Sequence, residues 1–101
     1  MPLGETTRAI VADLRERLAG EGLQPELRLF GAHARGDAEG DLDLCLVFAA
    51  VDAALVEQVH ALCWSTGFDH GVTLCPLVIS RAELDHPSAL MEQIRTAGIV
   101  L

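Results

Sequence analysis

Asp41 and Asp43 are separated by one residue, where a polar stretch gives way to the apolar run Leu44-Cys45-Leu46-Val47-Phe48. Residues i and i+2 of an extended strand project to the same face, so this spacing sets two carboxylates side by side. Adjacent carboxylates repel and shift each other's protonation unless a cation sits between them. Hard oxygen donors at an open, loop-lined position suit Mg²⁺, which keeps some waters and takes its other ligands from phosphates. Upstream, Phe30-Gly31-Ala32-His33-Ala34-Arg35-Gly36 sets a glycine at the end of an apolar segment, just before a predicted helical turn. Glycine lets the backbone approach an anion closely, and the free N–H groups of a helix start attract phosphate. A phosphate cradle and a metal site on neighbouring strands make a nucleotide site.

These residues must be held by a fold, and the hydrophobic pattern supplies one. Thr6 or Thr7 is read as the cap of a first helix whose apolar positions Ile10, Val11, Leu14 and Leu18 follow helical spacing, stopped by Gly20 and Gly22. Glu26 to Phe30 reads as a strand with Leu27 and Leu29 on one face, ended by Gly31. Ala32 to Arg35 reads as a short helical turn, and residues 37–40 as a polar loop.

A second strand runs from Leu42 to Phe48, apolar on both faces beyond its start, which is the pattern of a central strand covered on both sides. Asp52 is expected to cap a second helix reaching about Thr66, with Leu55, Val56, Val59, Leu62 and Cys63 inward and Gly67 as its terminator. A third strand, Val72 to Ile79, carries Pro76 and belongs near an edge or at a bulge. Ser80 and Glu83 fit a capping box. Ser88 caps a last helix to about Thr96, and Ile99-Val100-Leu101 forms a closing strand. The first two strands are joined too briefly for a parallel crossover, so the sheet is expected to be mixed. The fold class is α/β (α+β), one domain over residues 1–101.

Composition bounds the rest. The 101 residues carry a net charge of −8, and the 7 basic side chains are scattered among 15 acids. Binding of nucleic acid through phosphates calls for a clustered basic surface, so direct DNA or RNA binding is not expected. A small, metal-bound anion remains compatible, since the cation supplies positive charge. Half the residues are apolar, enough for a core without staples. No run approaches the roughly 20 apolar residues of a membrane span. Nor does the start of the chain pair a basic with an apolar region as a secretory signal does, so a cytoplasmic protein is expected. Cys45, Cys63 and Cys75 are odd in number and widely spaced, and read as small buried hydrophobes. Trp64 reads as a packing residue. His33, His60, His70 and His86 read as surface residues without a role.

The stretch Leu29-Phe30-Gly31-Ala32-His33-Ala34-Arg35-Gly36 through Asp41-Leu42-Asp43-Leu44-Cys45-Leu46-Val47-Phe48 resembles the signature of the DNA polymerase β nucleotidyltransferase superfamily. It is most similar to the minimal nucleotidyltransferases, many of them paired with HEPN-domain proteins. Pro76 to Ser80, Glu83-Leu84 and Ala97 to Leu101 resemble the family's ending, so the likeness covers most of the chain from Leu27 onward. The resemblance implies transfer of a nucleoside monophosphate from an NTP, ATP above all, to a hydroxyl. Gly31 and Ala32 would contact the triphosphate, Arg35 would support it, and Asp41 and Asp43 would ligate Mg²⁺. It also implies an antitoxin-like role toward a HEPN-type partner protein.

Three departures stand out, one being the spacer of eight residues from Ala32 to Asp41, slightly shorter than the family's usual length. Ala32 replaces the serine of the pattern. The third carboxylate that active members carry on a later strand has no counterpart in Val72 to Leu77, where Cys75 or Thr73 takes its place. A degenerate member that binds nucleotide or partner without turnover is therefore the alternative reading. The apolar end Ile99-Val100-Leu101 points to self-association or a partner.

Overall fold

The computed structural model describes residues 4–31 and 41–101, so the helical turn and polar loop expected at residues 32–40 lie outside the described residues. The elements run α1 (Glu5–Gly20), β1 (Glu26–Phe30), β2 (Leu42–Phe48), α2 (Ala53–His70), β3 (Leu74–Ser80), α3 (Arg81–Leu84), α4 (Ala89–Ala97) and β4 (Ile99–Val100). The four strands form one sheet in the order β3-β2-β1-β4. β1 pairs antiparallel with both β2 and β4, and β2 pairs parallel with β3. The fold is α+β with a mixed sheet, as the short β1–β2 connection requires.

Alternation along the strands divides the core into two layers. Leu27, Leu29, Leu42, Leu44, Leu46 and Leu74 turn to one face, where they meet Ile10, Val11, Leu14 and Leu18 of α1 and Val59 and Cys63 of α2. Cys45, Val47 and Ile79 turn to the other face and pack on Leu84 of α3 and Ile94 of α4. Burial of each leucine side chain contributes about 1.5–3 kcal/mol. β2 is thus the central strand its apolar faces require, and Pro76 sits on the edge strand, where a missing N–H costs least.

Helix ends follow local chemistry, with three corrections to the sequence reading. Neither Thr6 nor Thr7 caps α1: the cap position is Gly4, which makes no side-chain bond, and both threonines lie inside the helix. Gly67 does not end α2. It is buried inside the helix, where a Cβ would meet the Val72 carbonyl oxygen at 2.6 Å and the Leu74 nitrogen at 3.3 Å. It is small because β3 enters against it. The stop comes at Gly71, whose φ of 69° is left-handed, with the Val72 N–H donating to the Gly67 carbonyl at 2.9 Å. This turn takes up residues 71–73, so β3 begins at Leu74 rather than Val72.

Elsewhere the caps form as the sequence indicates. Asp52 accepts from the Leu55 N–H at 2.8 Å, Ser80 and Glu83 make a reciprocal capping box, and Ser88 accepts from the Met91 N–H at 3.1 Å. The chain's apolar end is less open than expected. Ile99 and Leu101 pack against the core and Leu101 donates its N–H to the Leu27 carbonyl, leaving Val100, 58% exposed, as the open residue.

Candidate functional site

β2 carries the two acids to one end of the sheet. Asp41 lies immediately before the strand, exposed, and Asp43 is half-buried as its second residue. Asp43 has the parity of Cys45 and Val47, so it faces the α3–α4 side. Two neighbours define its surroundings through register. Phe30, the last residue of β1, is its antiparallel partner, and Cys75, the second residue of β3, is its parallel partner.

The glycine bend meets the same carboxylate. Gly31 follows Phe30 with φ 75°, a conformation that side chains with a Cβ rarely adopt. A Cβ built on it would lie 3.2 Å from the Asp43 carboxyl carbon and would collide with Oδ2. Glycine is required here twice, once for the bend and once for the approach of Asp43.

Cys75 binds the other acid. Its thiol donates to Asp41 Oδ2 at 3.6 Å. Asp41 and Asp43 therefore both adjoin the Cys75 side chain and lie on its side of the sheet. Burial, the hydrogen bond to Asp41 and the charges of Asp41 and Asp43 push the Cys75 thiol above its ordinary value and keep it protonated. Cys45 and Cys63 are the buried hydrophobes the sequence reading describes, with desolvation raising each thiol to about 11. Cys75 is not one of that set, because it lies half-buried among carboxylates.

The register also separates the two replacements considered for the third carboxylate. Thr73 precedes β3, is exposed, and lends its backbone carbonyl to the Leu42 N–H. Cys75 occupies the position opposite Asp43. Asp69 offers no substitute, since its carboxylate is held by Arg17 at 2.6 Å. Arg17 also holds Asp13, whose carboxyl is kept below its ordinary value by His70 and Arg17.

Of the residues named for the site, Gly31, Asp41 and Asp43 come together, while Ala32 and Arg35 lie outside the described residues. Phe30 was not singled out in the sequence. Its signal was its place as the last strand residue before the bend. Trp64 is not a packing residue: it is 69% exposed and stacks, at a centroid distance of 5.3 Å, on Phe68, itself 70% exposed. His60, His70 and His86 are on the surface as read. A shallow depression lined by Ala50, Val51, Asp52 and Leu55 lies beyond the opposite end of β2 and takes no part in the site.

As a donor set, Asp41 and Asp43 supply hard anionic oxygens at an open position, which fits one Mg²⁺ that keeps its waters. The thiol of Cys75 is soft and does not extend that set for Mg²⁺. Among the described residues no group of three His, Cys, Asp or Glu side chains is arranged to hold a metal ion. No helix among them is long and apolar enough to cross a membrane.

No protein-family model matches this chain, and no curated protein matches it. Solved structures do. A chain from the MntA–HpeT toxin–antitoxin pair, crystallised as a point mutant, is similar over 99% of this chain and 72% of its own, with a TM-score of 0.62 at 19% identity. A protein of Sulfolobus solfataricus, provisionally assigned as a nucleotidyltransferase, is similar over 99% of this chain and 89% of its own, with a TM-score of 0.49 at 19% identity. The mixed four-stranded sheet with its flanking helices is the fold this chain shares with the chain of the MntA–HpeT pair.

Proposed function

We propose that this chain binds a nucleoside triphosphate with one divalent cation and transfers the nucleoside monophosphate to a hydroxyl on a partner protein. The observation that carries this reading is the placement of the Asp43 carboxylate against the Gly31 bend, with Asp41 joined to it across Cys75. Asp41 and Asp43 would hold Mg²⁺, and the cation would supply neutralisation of charge on the triphosphate and its leaving group. The backbone at Gly31 and Ala32, with Arg35, would receive the phosphates.

In the reaction the acceptor oxygen forms a bond to the α-phosphorus as the α–β bridging bond breaks. Pyrophosphate leaves with that electron pair, and the hydroxyl proton passes to solvent or a neighbouring base. The similarity to a chain from a toxin–antitoxin pair supports a partner protein as the acceptor, of the HEPN type in our reading.

Incubation with α-labelled ATP, Mg²⁺ and the product of the adjacent gene tests this. Label on the partner, lost in Asp43→Asn, is the expected result. Tight partner binding without label under any condition contradicts transfer. Cys75 favours a second reading, in which the domain binds nucleotide and partner without turnover, because a thiol stands where another carboxylate would complete the site. In that case Asp43→Asn leaves the biological effect intact.

A further inference from the structure

We infer that Cys75 restricts this site to a single hard divalent cation, and that residue 75 is the position from which a second would be held. The inference rests on the nucleotide-binding reading above and concerns the number of cations the same site can take. Two carboxylates carry the charge needed to balance one divalent ion. A symmetric clamp on both the attacking and the leaving oxygen uses two ions about 3.5–4 Å apart, and the second calls for a further anionic oxygen donor.

Among the described residues the geometry leaves one place for that donor. Asp43 sits on β2, flanked by β1 and β3. On the β1 side its register partner is Phe30, which has no donor atom in its side chain. On the β3 side its partner is Cys75, whose Sγ already reaches Asp41 Oδ2 at 3.6 Å. The adjacent β3 residues offer nothing: Leu74 is buried in the opposite layer and Pro76 has no polar side-chain atom. Thr73 lies outside the strand, and Asp69 is tied to Arg17. A side chain at position 75 therefore touches the same acids a second cation would share, but presents sulfur to it. Sulfur is a poor ligand for Mg²⁺ or Mn²⁺ and a good one for Cd²⁺.

Cation number is read directly by titrating the full chain with Mn²⁺ and a non-hydrolysable ATP analogue, following free Mn²⁺ by electron paramagnetic resonance. Wild type is expected to take one Mn²⁺ per nucleotide, Cys75→Ser one, and Cys75→Asp two, with Cys75→Glu as the alternative carboxylate should the aspartate variant not fold. Pyrophosphate release should rise at least about tenfold in the carboxylate variant, the equivalent of about 1.4 kcal/mol of barrier. Independently of any carboxylate variant, Cd²⁺ in place of Mn²⁺ should give wild type two ions per nucleotide and an ultraviolet thiolate-to-metal band that Cys75→Ser abolishes. Two Mn²⁺ in wild type, one in a folded carboxylate variant, or a Cd²⁺ stoichiometry indifferent to Cys75→Ser overturns the inference alone. No Mn²⁺-dependent nucleotide binding by wild type overturns the nucleotide-binding reading and this inference with it.

Discussion

The two faces of the sheet are built from the same strands and used differently. On one face, α1 and α2 pack on the strands, and Leu27, Leu29, Leu42, Leu44, Leu46 and Leu74 are all buried there. On the other, α3 and α4 lie against Cys45, Val47 and Ile79, and the end bearing Asp43 and Cys75 carries polar groups. Neighbouring residues of β2 therefore serve separate ends: Leu44 holds the fold and Asp43 faces the site. Splitting the work by strand parity lets a charged site sit one residue from the core without placing a charge inside it.

The contrast is sharpest at Leu44 and Asp43. Leu44→Ala leaves a cavity beneath two helices and should cost about 2–5 kcal/mol in urea unfolding, whereas Asp43→Asn should leave the urea midpoint of the metal-free protein unchanged or slightly higher. Equal destabilisation by the two would mean that Asp43 is a structural residue and would break the division of faces.

Gly31→Ala tests the bend. Left-handed backbone with a Cβ costs about 1–2 kcal/mol, and the new methyl would displace Asp43, so stability and nucleotide affinity should fall together. Loss of stability alone would separate the bend from the site. Asp52→Ala removes a helix cap at the far end of β2 and should cost about 1 kcal/mol, with nucleotide affinity unaltered in the same titration.

The smallest expected effect is on pH dependence. Glu26 lies at the end of β1 away from Gly31, hydrogen-bonded by Arg28 and also bonded by Arg81. The Arg28 hydrogen bond, and then that of Arg81, hold its carboxyl below its ordinary value against the opposing effect of burial. Its folded value is the lower one, so its contribution is present above the unfolded value of about 4.3–4.5 and is lost as pH falls through the folded value. Glu26→Gln should flatten that part of the acid-unfolding curve and leave neutral-pH stability slightly reduced.

Much of this was legible in the sequence because strand parity is a strong signal. The bounds of β1 and β2 and the mixed sheet follow from alternation and from one short connection. Three things were not legible, each for a physical reason. Gly67 looks like a helix stop, but its smallness serves the close approach of β3, a tertiary demand with no local mark. Trp64 has the composition of a core residue yet stacks on Phe68 at the surface, because the inward stripe of α2 is already filled by Val59, Cys63 and Thr66. Cys75 shared its candidacy with Thr73 until the parallel register of β2 and β3 set Cys75 opposite Asp43, and register between strands distant in sequence is not written in either strand. Asp41, Asp43 and Gly31 were legible as a group because the short link between β1 and β2 already required that they meet.

The central claim is that Asp41 and Asp43 together hold a divalent cation against a triphosphate at the Gly31 bend. Isothermal titration of wild type, Asp41→Asn and Asp43→Asn with a non-hydrolysable ATP analogue, with and without Mg²⁺, tests it most directly. Wild type should bind only with Mg²⁺, and each substitution should weaken binding by at least about tenfold, because each removes one charged ligand. Binding that persists without Mg²⁺, or survives both substitutions unchanged, would contradict the claim.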